Sequence, residues 1–389
     1  MRKRGFWRRR PRLAAALSAV GLVAAAGVAG WAIQGQGVAH EASLTSTPRI
    51  TRVSFRAPPA PAELQAALEK LAERYREPVG ISVTDVAERW TAQVAGDEVF
   101  PQQSVSKLWV ALSVLHAIDR GGLSLEQKVV LTPDDRSVFY QPVTARIRGS
   151  KGYETTVYDL LRRALTESDN AANDKLIREL GGGGAVSRTL AEKGLDGLGV
   201  GETERDMQTR AAGLSWKPEY GVTWIWKAAR EQLPESVRDQ ALAEYLAHPP
   251  DGARPAAITQ TLAALKRSEL LSPGSTQVML ELMGECRTGG SRLRAGLPKG
   301  WSIAHKTGTG PDWKGASVGI NDVGLITAPD GRAYAVAVMM RETRKPVPAR
   351  LALMQAVSRT VATWWRSQGE DLAPSRQVAV IGAPSETAR

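Results

Sequence analysis

Cysteine is almost absent. Cys286 stands alone, so no intrachain disulfide can form, and it reads as a small buried residue rather than as a catalyst. Histidine is scarce as well: His40, His116, His248 and His305 are scattered, and none has a partner at ligand spacing, which argues against a metal site. Acidic residues are missing before residue 39, where Arg2, Lys3, Arg4, Arg8, Arg9, Arg10 and Arg12 supply seven positive charges. Without that head the net charge falls from +11 to +4, so the basic balance does not point to nucleic acid as a partner. The run Gly181 to Gly184 has no lysine-hydroxyl pair behind it and reads as a helix stop and turn, not as a phosphate cradle.

What is present begins with that basic head. It leads into Leu13 to Ile33, an apolar Ala/Gly/Val-rich stretch of 21 residues, and then to a small-x-small site at Gly37-Val38-Ala39. This is the pattern of an export signal cleaved before His40, with Arg8-Arg9 as a faint twin-arginine feature. The rival reading is an uncleaved anchor, because the run is long enough to span a bilayer. Either way the body is expected to be exported, as a periplasmic protein or one held on the outer face of the inner membrane through residues 13–33. Residues 40–60 are rich in Ser, Thr and Pro and read as a linker, and 61–367 has the length of one large domain.

Within that domain Leu64, Leu68, Leu71 and Tyr75 recur at helical spacing and stop at Pro78. Val79 to Val86 and Trp90 to Val94 then alternate as two strands. An apolar helix covers Leu108 to Ile118. The chain from 124 to 180 reads as mainly helical, with Thr155 to Leu165 as its best segment, and 201–213 reads as polar and irregular. Further helices are expected at Glu235 to Leu246, Gln260 to Leu265 and Gln277 to Met283. Strands return at Trp301 to His305, Asp322 to Thr327 and Ala333 to Met340, before a long helix from Ala349 to Trp365 and a disordered tail over 368–389. A sheet completed by the two chain ends, with a helical lobe inserted between them, is the arrangement this order predicts.

Three short strings carry the chemistry. Ser104-Val105-Ser106-Lys107 places a hydroxyl and an amine three residues apart on one face of a helix's first turn, where the field favours the negative charge of an attacking oxygen. Alone, such a pair is as readily an N-cap and a solvated lysine. Ser168-Asp169-Asn170 follows at the end of the Thr155 helix, and Lys306-Thr307-Gly308-Thr309-Gly310 at the end of a strand. Each could be a cap or a strand-end turn, but their joint order behind an export signal is hard to attribute to chance.

This ordered set resembles the penicillin-recognising serine enzymes, and in detail the class A β-lactamases. The likeness runs from Ala62 to Trp365 and includes Phe100-Pro101, Tyr140-Gln141-Pro142, Gly296 to Trp301 and Asn321-Asp322-Val323-Gly324. It implies an α/β (α+β) fold, an antiparallel sheet flanked by helices with a helical lobe at about 102–290. The family's Ω-shaped loop carries a glutamate about 34 residues after the Ser-Asp-Asn asparagine, which falls on Glu204. Here the loop departs from the family pattern: Met207 stands for leucine, Gln208 for asparagine, and Glu202 where many members have an arginine that pins the loop.

The resemblance also implies roles. Ser104 would be the nucleophile, and Lys107 and Glu204 rival bases for acylation, a dispute long attached to the family. Ser168 would relay a proton to the leaving nitrogen with Lys306 behind it, and Glu204 would activate the deacylating water. Asn170, Tyr140 and Gln208 would line the substrate, and Lys306, Thr307, Gly308 and Thr309 would meet its carboxylate. Arg292 is either a further carboxylate ligand or a surface charge beside Arg287 and Arg294. The expected partner is a small-molecule β-lactam, with no cofactor, no metal and no nucleic acid, and a monomeric enzyme. About 30 residues more than the family usually has lie around 214–255, carrying Trp216, Tyr220, Trp224 and Trp226. They either cover the site or pack an extra helix onto the body. Two rival functions share the motifs: a D-alanyl-D-alanine carboxypeptidase, and a penicillin-binding sensor or scaffold that acylates without turnover.

Overall fold

The computed structural model describes residues 57–371. The expected signal or anchor, residues 40–56 of the expected linker and residues 372–389 of the expected tail lie outside the described residues.

In chain order, α1 (Ala62–Tyr75) is followed by β1 (Val79–Asp85), β2 (Thr91–Val94), the short β3 (Phe100–Pro101), a 3-10 turn at Gln103–Ser106 and α2 (Lys107–Asp119). Then come β4 (Lys128–Leu131), β5 (Tyr153–Thr156), α3 (Val157–Arg162), a π turn at Arg163–Glu167, α4 (Asn170–Glu179), α5 (Gly183–Glu192) and α6 (Glu204–Ala211). The region of the extra residues forms α7 (Thr223–Glu231) and α8 (Glu235–Ala247). After β6 (Gly252–Ala253), α9 (Pro255–Lys266) and α10 (Pro273–Gly284), the chain closes with β7 (Ser302–Gly308), β8 (Asp312–Trp313), β9 (Ala316–Thr327), β10 (Ala333–Thr343) and α11 (Val347–Asp371).

Both chain ends build the main sheet, in the order β2-β1-β10-β9-β7 with β8 added to β9, and every pairing is antiparallel. Alternation along β10 shows why it is central. Ala333, Ala335, Ala337 and Met339 join the core under the helical lobe, while Tyr334, Val336, Val338 and Met340 join a second core with α1 and α11. Inside the lobe runs α2, packed against α4, α5 and α10 and buried from Lys107 to Leu115, as a helix without a polar face must be.

Four expectations are corrected. Residues 124–156 form no α-helix, only short 3-10 turns between two strands: Lys128–Leu131 pairs antiparallel with Tyr153–Thr156, and the exposed-buried alternation along β4 is the strand period that a helical reading passes over. The helix expected from Thr155 begins at Val157, since Thr156 is extended and its hydroxyl accepts the Asp159 N–H as an N-cap. Residues 204–211 form a helix rather than irregular chain, and the cause is a cap from another element, described below. The closing helix also continues through 368–371, expected to be tail.

Candidate active site

Ser104 sits in the 3-10 turn that feeds α2, one residue after Gln103, whose φ of 53° is left-handed. A non-glycine residue holds that conformation only when its surroundings fix it. Here the buried Asp251 carboxylate accepts the Gln103 N–H at 2.6 Å. One turn on, Lys107 is carried into the interior by the apolar α2, and its ammonium donates to Ser104 Oγ and to Glu204 Oε2, both at 2.9 Å.

Glu204 opens α6. Asp174 on α4 accepts the backbone N–H groups of Glu204 at 2.6 Å and Arg205 at 3.2 Å, and Ser137 Oγ donates to the same carboxylate. That carboxylate caps the helix from outside it. Arg205 adds a second tie, donating to the carbonyls of Asp134 and Arg136 and stacking 4.9 Å from Trp216. Glu202, which stands where an arginine would pin the loop, makes only an exposed pair with Arg210. Burial would raise the Glu204 carboxyl, but the Lys107 ammonium and hydrogen bonds from Lys107 and Gln208 outweigh it and hold it below the usual carboxylate range. Gln208 donates to Glu204 Oε1 at 2.9 Å and to Gln103 Oε1 at 2.6 Å, so it ties the acid to the turn before the nucleophile.

Ser168 ends the π turn in a left-handed conformation (φ 62°), and its Oγ accepts from Lys306 Nζ at 2.9 Å. Asp169 is buried, taking the N–H groups of Val143 and Ala172. Asn170 donates to the Val138 carbonyl at 2.9 Å, bracing the segment that presents the exposed Tyr140. Lys306 is fully buried on β7, and burial followed by the charge of Lys107 lowers its ammonium to about 7. Thr307 shares a 2.7 Å hydrogen bond with Thr288. Gly308 is required by a close approach, since a Cβ there would meet the Gln102 carbonyl oxygen at 2.3 Å. Arg292 is no free surface charge: its guanidinium donates to the carbonyls of Gly308 (2.9 Å) and Asn321 (2.6 Å) and to Thr309 Oγ1 (2.6 Å).

The structure therefore brings all twelve residues singled out in the sequence to one place. Ser104, Tyr140, Ser168, Asn170, Glu204, Gln208, Arg292, Thr307 and Thr309 line a cavity of about 940 Å³, with Lys107, Lys306 and Gly308 behind its wall. Among the described residues no group of three or more His, Cys, Asp or Glu could hold a metal ion. A carboxylate and two lysines converging on two serines can move a proton to and from a serine oxygen, which is the chemistry of acyl transfer.

A family model described as the beta-lactamase enzyme family matches residues 63–365. The chain belongs to that family. Among its relatives is the beta-lactamase VEB-1 of Pseudomonas aeruginosa, 28% identical over 283 residues, covering 72% of this chain and 83% of the relative. A variant of the last common ancestor of Gram-negative class A beta-lactamases is 30% identical, with a TM-score of 0.60 over 79% of this chain and 100% of the other. The TLA-3 extended-spectrum beta-lactamase, 23% identical, shares the fold with a TM-score of 0.64 over 78% of this chain and 98% of its own. This family member is thus a serine hydrolase of the class A type.

Sequence reasoning missed the residues that hold the site. Asp174 lies one helical turn after Asn170, yet nothing local marks it as the cap of a helix 30 residues on. Asp251 and Tyr245 come from the extra segment and meet Gln103 across the fold. The aromatic residues of that segment do both things expected of them: Trp226 packs with Val138, Ala212 and Tyr220 and also lines the cavity, while Trp224 stays exposed.

Proposed function

We propose that this enzyme hydrolyses the β-lactam amide through an ester on Ser104 that Glu204 then helps water to cleave. The observation that carries the reading is the Lys107 ammonium, in hydrogen-bond contact with Ser104 Oγ and Glu204 at once. Attack by Ser104 releases a proton, for which Lys107 and a water held by Glu204 are the two acceptors in reach. Ser104 Oγ bonds to the ring carbonyl carbon, and the C–N bond breaks as the ring nitrogen takes a proton from Ser168. The Lys306–Ser168 hydrogen bond supplies the replacement. In the second half Glu204 takes a proton from water as the hydroxide adds to the ester carbonyl. Ser104 then leaves and recovers its proton.

Several features support turnover over a stalled acyl-enzyme. Glu204 is held ionised and buried beside the nucleophile, and Asp174 and Arg205 fix its helix despite the altered loop sequence. A time course with a chromogenic cephalosporin, run well past one equivalent with Ser104→Ala as control, tests this. Sustained turnover lost in the control agrees with the reading. A burst of about one equivalent that stalls turns it into the sensor, and turnover of D-Ala-D-Ala peptides in place of the cephalosporin turns it into the carboxypeptidase. The basic head and apolar run of the sequence support the companion proposal that the enzyme acts after export, in the periplasm.

A further inference from the structure

The extra segment does more than pack. On α7, Trp226 meets Phe139 edge to face with centroids 4.8 Å apart, next to Tyr140 on the helical wall of the cleft. One turn later Arg230 lies 4.6 Å over the ring of Trp313, on β8 just beyond Thr309 on the sheet wall. The following helix tightens the second grip, since Asp239 accepts from Trp313 Nε1 and Lys314 at 2.7 Å each. Residues 223–231 therefore bridge the two walls, and Trp226, Lys227 and Arg230 line the same cavity as Ser104.

What this bridge offers is donors and aromatic surface. Among the described residues neither Lys227 nor Arg230 has a carboxylate within ion-pair distance, and the buried Trp226 N–H finds no acceptor. Other cations nearby are already engaged: Arg292 on strand carbonyls and Arg287 on Glu167 at 3.0 Å. Of the acids lining this end, Asp312 takes the Ser317 hydroxyl, and Glu231 opposes the lowering of Arg230 only at a distance, with no ion pair between them. Burial and the neighbouring Arg238 both lower the Arg230 guanidinium, the response of a cation with too little counter-charge. A ligand carboxylate would supply that charge, and Phe139, Tyr140 and Trp226 would flank a ring.

We propose that the 223–231 bridge is a subsite for the acyl side chain of the substrate, selecting side chains that combine an aromatic ring with a carboxylate. This rests on the β-lactam reading of the site. It assigns Trp226 to the ring, and Lys227 and Arg230 to the carboxylate.

The test compares a phenylacetyl penicillin with its phenylmalonyl counterpart, which differ by that one carboxylate. In K227Q/R230Q the ratio of kcat/KM for the phenylmalonyl over the phenylacetyl compound is expected to fall about 10-fold, as loss of charge-assisted hydrogen bonds implies. K227Q alone, at an exposed position, should give part of that change whether or not the double variant folds. Calorimetric affinities measured on Ser104→Ala report the subsite without turnover and should show the same loss of preference. If neither penicillin is cleaved yet the binding preference is present and charge-dependent, the hydrolase reading fails and the subsite stands. A ratio unmoved by the substitutions, in both kinetics and binding, overturns the subsite.

Discussion

Lys107 and Glu204 form a 2.9 Å ion pair with side chains 0% and 5% exposed. A buried pair of this kind is strongly destabilised when one partner is lost, because the other charge is left uncompensated. Glu204→Gln keeps the shape and Gln208 contact but removes the base. We expect Ser104 to acylate and the ester to persist, so that intact mass spectra after mixing with a penicillin show one covalent adduct and turnover falls by about 10²–10⁴-fold. A spectrum with no adduct would reassign the acylating base to Glu204 alone and undo the division of labour drawn here.

Lys306 carries the pH dependence. Its ammonium is lowered to about 7 by burial first and the Lys107 charge second, so above neutrality the free enzyme loses the proton that replenishes Ser168. The kcat/KM profile for an anionic substrate should therefore fall as pH rises through about 7. Lys306→Arg, which cannot titrate there, should lower activity but remove that limb. A limb that survives unchanged in the arginine variant belongs to another group.

Why the motifs were legible and their supports were not follows from distance along the chain. Ser104 and Lys107 share one turn, Lys306 to Thr309 one strand end, and Ser168 to Asn170 one helix junction, so local spacing reports them. Most of the sheet was readable too, because β1 and β10 are largely apolar runs between turns, although β9 begins at Ala316, six residues before the strand expected from Asp322. The helix at 204–211 was not: its first turn is acidic and polar, and what stabilises it is the Asp174 carboxylate from α4. The β4–β5 ribbon failed for a similar reason, since each strand is four residues and the pairing joins segments 22 residues apart. Arg292 was left open between two roles because nothing in its neighbours along the chain reveals that it fastens β7 to β9.

That fastening predicts a kinetic split. Arg292 satisfies the Gly308 and Asn321 carbonyls and orients the Thr309 hydroxyl, and orphaning such groups costs about 1–3 kcal/mol. Arg292→Ala should raise KM about 10-fold through a misplaced Thr309 while kcat changes by no more than about 3-fold, and Arg292→Lys should recover little because one ammonium cannot span three acceptors. Kinetics identical to the native enzyme would leave Arg292 a structural strap with no part in substrate capture.

Asp251 predicts a stability signature. It is fully buried, and burial pushes its carboxyl up to about 7, although hydrogen bonds from Gln103 and Tyr245 oppose this. In the unfolded chain an aspartate titrates near 3.9. Between those values the folded protein keeps a proton that the unfolded chain has released, so this residue's contribution is full below about 4 and declines as pH rises toward 7. Asp251→Asn lacks the titration and keeps an oxygen for the Gln103 N–H. The native protein should thus lose about 2–4 kcal/mol relative to the variant between pH 4 and pH 7, read from denaturant unfolding at each pH. A constant difference across that range would mean that Asp251 is ionised in the folded state throughout. The Tyr245 and Gln103 donors would then outweigh its burial, and the turn before Ser104 would be held by a charge rather than by a neutral acid.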